Sequence, residues 1–410
     1  MEHNKPQKHS LDTLYYSTSR TLERGAYYGF RALILIYMIG ETMKMETEEA
    51  VKIYGILTTS LIFSQIFGAL LGDLVIGNKK SIIIGGVLQA FGAFTICISS
   101  KLGLYTGLFL IMLGNGLYNP NLMANFGKSY LNKTRLLDAG FTILYLAVNV
   151  GALFGVLFIG FIGKNLGYNF GFAMAGLFML LSIVPIIFTK KIEVPILQKT
   201  SITRGVINIT LAFLLVGFFW GIYEMSGTRI YDIQLQLSEI SALGITKDMW
   251  NSLSSVFTIP VCIVAILIAS FFYYSQFFKL LVGFVFGAMA LGIILFIPEI
   301  PEENHAMTFL VSLLFLAISE IHIAPIIHSI LTKYSNPKYL AILISLSFAP
   351  TRAFVAVAGI FNEQFYGHYN LGVKIGVTAL MLISLGIVGY LILDKLLTRN
   401  NLNNTINTTS

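Results

Sequence analysis

The sequence predicts an all-α membrane protein with about twelve spans. Three observations carry that expectation. Of 410 residues, 56% are hydrophobic and only 11% are charged, whereas a soluble domain carries about 25% charged residues. Several apolar runs exceed about eighteen residues, enough for a helix to cross the hydrocarbon core with its backbone satisfied. Lysine and arginine gather in short loops, so the net charge of +7 reads as membrane orientation and not as nucleic-acid binding.

The apolar runs place spans near 22–42, 51–73, 80–99, 103–124, 137–161, 167–189, 206–227, 250–272, 279–298, 307–331, 338–362 and 370–395. Leu237 to Asp248 reads as a short extracellular helix, and Tyr274 to Lys279 as a tight loop. The first twenty or so residues are polar and lack an apolar h-region, so no cleavable signal peptide is expected. With the N-terminus inside, roughly seventeen basic residues fall on cytoplasmic segments and about seven outside. The outer loops carry acidic clusters instead, Glu46-Thr-Glu48-Glu49 and Glu299 to Glu303. Both termini are then cytoplasmic, in a multi-pass protein of the cell (inner) membrane.

The short basic stretch at 190–205 divides two sets of six spans. The expected organisation is a cytoplasmic segment 1–21, a six-helix bundle 22–189, the linker 190–205, a second bundle 206–396 and a disordered cytoplasmic tail 397–410 rich in Asn and Thr. Two six-helix halves suggest a substrate path between them. Cys97 and Cys262 lie in apolar runs and form no disulfide framework. There is no G-x-x-x-x-G-K-[ST] for ATP, no His/Cys cluster for a metal and no Ser/His/Asp arrangement, so neither an enzyme nor a cofactor is expected.

The chemistry lies in the first apolar segment. Arg20, Arg24, Tyr27 and Arg31 are spaced i, i+4, i+7, i+11, one stripe of a helix, and Glu23 sits beside them. A charge at mid-bilayer costs roughly 2.5–3.5 kcal/mol on insertion scales. That cost is tolerable where the stripe faces a hydrated cavity and partner charges, so the stripe predicts the lining of a transport or binding path.

Further motifs fall in order along the chain. Gly68-Ala-Leu-Leu-Gly72-Asp73-Leu-Val-Ile-Gly77-Asn-Lys79-Lys80 resembles the cytoplasmic loop signature of the major facilitator superfamily. Glu23-Arg24, Tyr27-Tyr28-Gly29 and Arg31 resemble the E-x-x-E-R-x-x-Y-Y-G-x-R region of the proton-coupled oligopeptide transporters. Asp138-Ala-Gly140-Phe141-Thr to Tyr145, Asn149 and Gly151 resembles their span-five signature, and Phe219-Trp220 to Glu224 and Gly227-Thr228 their span-seven segment. Asn251, nine residues before Pro260, matches a span-eight asparagine, and Ser319-Glu320 before Pro325 a span-ten glutamate.

The resemblance implies the major facilitator fold and a proton-driven, alternating-access importer of di- and tripeptides, working as a monomer in the lipid bilayer. It implies substrate contacts at Arg24, Tyr27, Tyr28, Arg31, Asn149, Trp220, Asn251 and Glu320. It implies proton coupling or gating at Glu23, Arg24, Arg31, Glu224 and Glu320, with Glu224 pairing Arg31 and Glu320 receiving the peptide ammonium. A zwitterionic peptide suits that set, because guanidinium forks hold a carboxylate through paired N–H donors.

Two positions depart from the family pattern together. Arg20 stands where the family has the first glutamate, and Asn119, in Gly114-Asn-Gly116-Leu-Tyr-Asn119-Pro120, stands where it has a lysine. The expectation is that Arg20 takes over part of the cationic role lost at Asn119. Other readings stay open at this point. Glu23 with Arg24 suits a structural ion pair, Asn149 and Asn251 suit interhelical hydrogen bonding, and His322 suits a satisfied core position. Arg352 is expected to face a cavity or a carboxylate. An excess of positive charge on the first span also suits another small anionic or amino-acid-like solute, carried with or without protons, and a pocket that no longer pumps would make a membrane sensor.

Overall fold

The computed structural model describes residues 8–192, 202–245, 247–272, 274–364 and 368–409. Its regular structure is helical among the described residues: α1 (Leu11–Ile39), α2 (Thr47–Leu71), α3 (Asn78–Ile96), α4 (Lys101–Ser129), α5 (Leu137–Phe154), α6 (Gly160–Asn165), α7 (Tyr168–Phe188), α8 (Ile202–Glu239), α9 (Lys247–Phe271), α10 (Gln276–Ile294), α11 (Ala306–Tyr334), α12 (Leu340–Leu346), α13 (Phe348–Gln364) and α14 (Tyr369–Thr409). Each expected span has its helix. The fifth combines α5, a π-helical turn at Gly155–Ile159 and α6, and the eleventh combines α12 and α13. Among the described residues, eight helices are long and apolar enough to cross a membrane. α1, α3, α4 and α9 are not among them: arginines, lysines, glycines and asparagines dilute the apolar content of the first three, and α9 contributes only the shorter apolar stretch Val256–Ala269.

The chain forms two compact units. The first comprises Met1–Leu214, Cys262–Ser270 and Ile327–Pro350, and the second Leu215–Val261, Phe271–Ile326 and Thr351–Ser410. In the first unit α4 packs on α2 and α3, α1 packs on α5 and α7, and α12 lies against α2 and α4. Glycine permits the closest of these approaches. A Cβ on Gly155 would drive into the Gly25 carbonyl of α1, and one on Gly85 would lie 2.6 Å from the Gly114 carbonyl of α4. Beside these contacts sits an apolar core in which Phe172 meets Tyr37 at 5.0 Å and Phe30 at 5.7 Å between ring centroids.

In the second unit α10 packs on α14. The Ser319 hydroxyl donates to the Gly283 carbonyl (2.7 Å) and Ser312 to the Ala290 carbonyl (2.9 Å), tying α11 to α10. Arg229, 1% exposed, fastens α8 to the turn after α10 by donating to the carbonyls of Pro298 (2.6 Å) and Ile297 (3.2 Å) and to Asp232 (2.7 Å).

Two details differ from the sequence expectation and one agrees with it. Leu237 to Asp248 is not a separate helix. α8 runs on to Glu239 and ends in a turn where Ser241 (φ 48°) and Leu243 (φ 58°) leave the right-handed region, and α9 begins at Lys247. The loop before α10 is tight, with Ser275 capping the helix by accepting from the Phe278 amide (3.3 Å). α14 stays helical to Thr409 where a structureless tail was expected beyond 396. Most of the linker at 190–205 lies outside the described residues.

Candidate functional site

Adjacent residues on a helix point about 100° apart, yet Glu23 and Arg24 meet. Both side chains turn off α1 into the first unit, where small residues have drawn the helices close. Arg24 grips Glu23 with two prongs: Nε donates to Oε2 (2.6 Å) and Nη2 to Oε1. Arg20 Nη1 stands 3.6 Å from Oε2, and the Asn115 amide of α4 donates to Oε1 (3.4 Å). Glu23 is fully buried, and Arg20 and Arg24 are 7% and 6% exposed. Two guanidiniums and one carboxylate leave this cluster with a net positive charge, away from bulk water, where Coulombic attraction for an anion is least screened.

The two departures from the family pattern touch. Arg20 Nη1 donates to Asn119 Oδ1, and the Asn119 amide donates to Asn115 Oδ1 (3.2 Å). Arg20 thus reaches from α1 to the α4 position where the family pattern has a lysine. α1 is set against its neighbours by further bonds below this point: Ser19 with the Tyr118 hydroxyl (2.5 Å) and the Ser182 carbonyl (2.6 Å), and Asn125 donating to Tyr16 (2.7 Å).

One turn further along α1 the stripe becomes aromatic. The Arg24 guanidinium lies over the Tyr27 ring at 4.7 Å, and Arg31 lies within 6.0 Å of the rings of Tyr27, Tyr28 and Tyr54. Such stacking adds roughly 0.5–2 kcal/mol and holds a guanidinium without consuming all its donors. Arg31 gives two of them, Nε (2.9 Å) and Nη2 (2.6 Å), to the Tyr54 hydroxyl of α2. Tyr27 is buried, and its hydroxyl has no hydrogen-bond partner among the described residues. Asn149 donates to the Tyr145 carbonyl of its own helix (3.0 Å).

The second unit holds the opposite charge. Glu320, half-buried on α11, is hydrogen-bonded by Tyr223 of α8. Trp220 packs edge-on against both Phe219 and Tyr223, each at 5.3 Å, and so fixes the Tyr223 ring. A cavity of about 200 Å³ opens at Glu320, with Thr258 on one wall and Ile230, Leu313 and Leu316 on others. Glu224 is exposed on α8. Asn251 belongs to α9, but its side chain lies outside the described residues. His322 Nδ1 lies 2.8 Å from the Ile318 carbonyl, a satisfied position on its own helix. Arg352 is exposed on α13.

Sequence reasoning missed three contributors. Asn115 and Gln65, whose amide reaches Asn115 Oδ1 at 3.5 Å, extend the polar cluster, and Tyr54 seats Arg31. Their signal was an amide between two glycines (Gly114-Asn115-Gly116) and lone polar groups inside the second apolar run.

A family model described as the POT family matches residues 79–202. Among curated proteins, the chain is 30% identical over 220 residues to an uncharacterized transporter, YclF, of Bacillus subtilis (strain 168), covering 50% of this chain and 44% of the relative. It is 28% identical over 243 residues to a di-/tripeptide transporter of Lactococcus lactis subsp. cremoris, covering 54% and 48%. The chain thus spans less than half the length of these curated relatives. Among solved structures, a peptide transporter POT in complex with sulfate superposes with TM-score 0.64 at 21% identity, covering 94% of this chain and 96% of that one. A POT family transporter in complex with a thioalcohol-conjugated peptide gives 0.65 at 19%, covering 92% and 95%. The chain therefore shares the helical fold of these solved transporters, and over part of its length it is similar to the POT family model and to curated peptide transporters.

Proposed function

We propose that the protein imports di- and tripeptides by alternating access, coupled to protons, as a monomer in the cell membrane with both termini in the cytoplasm. The observation that carries this is charge of opposite sign on two separate scaffolds. A buried net-positive cluster sits on α1, and a carboxylate borders a cavity on α11. A peptide is a zwitterion. Its carboxylate suits Arg24, Arg31 and the free edge of Arg20, and its ammonium suits Glu320. The unpartnered Tyr27 hydroxyl, Tyr28, Asn149, Trp220 and Asn251 complete the proposed contacts. Because Glu320 and Glu224 are carboxylates whose charge changes on protonation, they are the groups proposed to couple protons to the cycle, with Glu23, Arg24, Arg31 and Arg20 providing the gating charges.

The Lactococcus lactis relative supports this reading by its name, a di-/tripeptide transporter. The test is uptake into proteoliposomes. Wild-type protein should accumulate a labelled dipeptide saturably. Glu320→Gln should weaken peptides with a free amino terminus at least tenfold more than their N-acetylated forms. Equal losses for both would remove Glu320 from the ammonium site, and no flux of any peptide would remove the transport reading.

A further inference from the structure

The cavity beside Glu320 is longer than an ammonium needs. On α8 it is bounded by Tyr223, Gly227, Ile230 and Gln234, spaced i, i+4, i+7, i+11 and so forming one stripe of that helix. On α11 it runs from Glu320 back over Leu316 to Leu313, two turns toward the N-terminal end. The hollow is therefore a slot with a carboxylate at one end, mostly apolar walls interrupted by Thr258 and Tyr231, and an amide at the far end. Among the described residues its one charged lining residue is acidic, so the end at Glu320 suits a cation and the length suits an uncharged substituent. Its volume, about 200 Å³, exceeds that of an engineered 150 Å³ apolar cavity that binds benzene. The volume of a phenyl ring is therefore within its capacity.

Resting on the peptide-transport reading, we propose that this slot within the second unit takes the side chain of the peptide's first residue, and that Gly227 and Ile230 set the size it admits. The amino group at Glu320 and the side chain leave the same α-carbon, so holding one at the mouth directs the other along the stripe. Ile230, Leu313 and Leu316 are buried (9%, 6% and 7% exposed) and supply an apolar lining. Gly227 is the element that keeps the slot open. A Cβ there would meet nothing within 4 Å, so a larger side chain is accommodated by the backbone and projects into the hollow. Apolar burial then favours a large first side chain in the native protein and a small one when the slot is filled.

The test is calorimetric binding of Phe-Ala and Gly-Ala to the full-length protein in nanodiscs. The Kd ratio between the two peptides is compared across wild type, Gly227→Leu and Ile230→Ala. In wild type Phe-Ala should bind more tightly. Gly227→Leu should move the ratio at least tenfold toward Gly-Ala, and Ile230→Ala should move it at least threefold toward Phe-Ala, an opposite shift that a general loss of fold cannot produce. If Gly227→Leu does not fold, Ile230→Ala alone decides. Wild-type binding of both peptides with a ratio unmoved by either variant overturns the slot and leaves peptide transport standing. Binding of neither peptide by wild type overturns both.

Discussion

Glu23 has no exposed surface and touches two guanidiniums and an amide. Burying a carboxylate is costly, and the pair repays it only while the geometry is kept. Removing one partner of such a pair costs about 3–5 kcal/mol, because the remaining charges lose their compensation. Glu23→Gln leaves Arg20 and Arg24 facing each other without a counter-charge. It should lower the thermal midpoint of the purified protein in detergent far more than Glu224→Gln does at its exposed position, and equal midpoints would show that the cluster carries no such load. The bidentate contact also makes lysine a poor substitute at position 24, since a point charge cannot fill a planar fork. Arg20 carries the second residue-scale prediction. It brings the charge to α4, and Asn119 only accepts from it. Arg20→Ala should therefore cut dipeptide uptake at least tenfold, and Asn119→Ala less than threefold. Equal mild losses would mean that the two departures from the family pattern are independent.

At the scale of elements, α1 is the organising helix. It meets α5 and the π turn through glycines and meets α4 and α7 through hydroxyl and amide groups. A one-residue insertion in a helix, which is what a π turn is, is expected where function needs a local widening. Gly155→Leu would have to push α1 away and should abolish uptake while also lowering yield of folded protein. Gly160→Leu, where a Cβ meets nothing within 4 Å, should be tolerated. The first residues of α1 are held differently. His9 Nδ1 lies 2.7 Å from the Tyr130 hydroxyl, Thr13 shares that hydroxyl at 2.7 Å, and Lys133 donates to the Lys8 carbonyl at 2.8 Å. Burial, and then the charge of Lys133, hold the His9 imidazole below its ordinary value of 6.5. The docked segment thus binds a proton less readily than the released one. The clasp is at full strength above pH 6.5 and is lost as pH falls through and below that value. Protection of the Ser10–Leu14 amides against hydrogen exchange, corrected for intrinsic rate, should fall severalfold between pH 7.5 and 5.5. A His9→Gln variant should show no such fall, and pH-independent protection in wild type would exclude the clasp.

At the scale of the molecule, the proposed cycle makes a single demand: flux must follow the proton gradient. Dipeptide uptake into vesicles should rise several-fold when the outside is one pH unit more acidic than the inside, and a protonophore should return it to the ungraded level. Saturable uptake indifferent to the gradient would make the protein a facilitator. The altered α1 cluster gives this measurement its force. Arginine keeps its proton throughout the accessible range, so Arg20 supplies a permanent charge where the family pattern has a group able to titrate, and the coupling proposed above is assigned to the carboxylates of α8 and α11.

The sequence by itself determined the helical class, the order and approximate limits of twelve spans, and the stripe of Arg20, Arg24, Tyr27 and Arg31. Those features follow from local rules: hydrocarbon thickness sets span length, and a helical period sets which residues share a face. The motifs singled out Glu320, which borders the cavity, and Trp220, which packs on Tyr223 beside it. Tertiary structure alone decided the rest. It brought Arg20 onto Asn119 from a hundred positions away, folded Glu23 back onto its own neighbour, seated Arg31 on Tyr54 and opened a slot along Gly227. Each of these depends on how closely two helices approach and in what register. A backbone carbonyl meeting a glycine sets that distance, and no periodicity along a single chain records it.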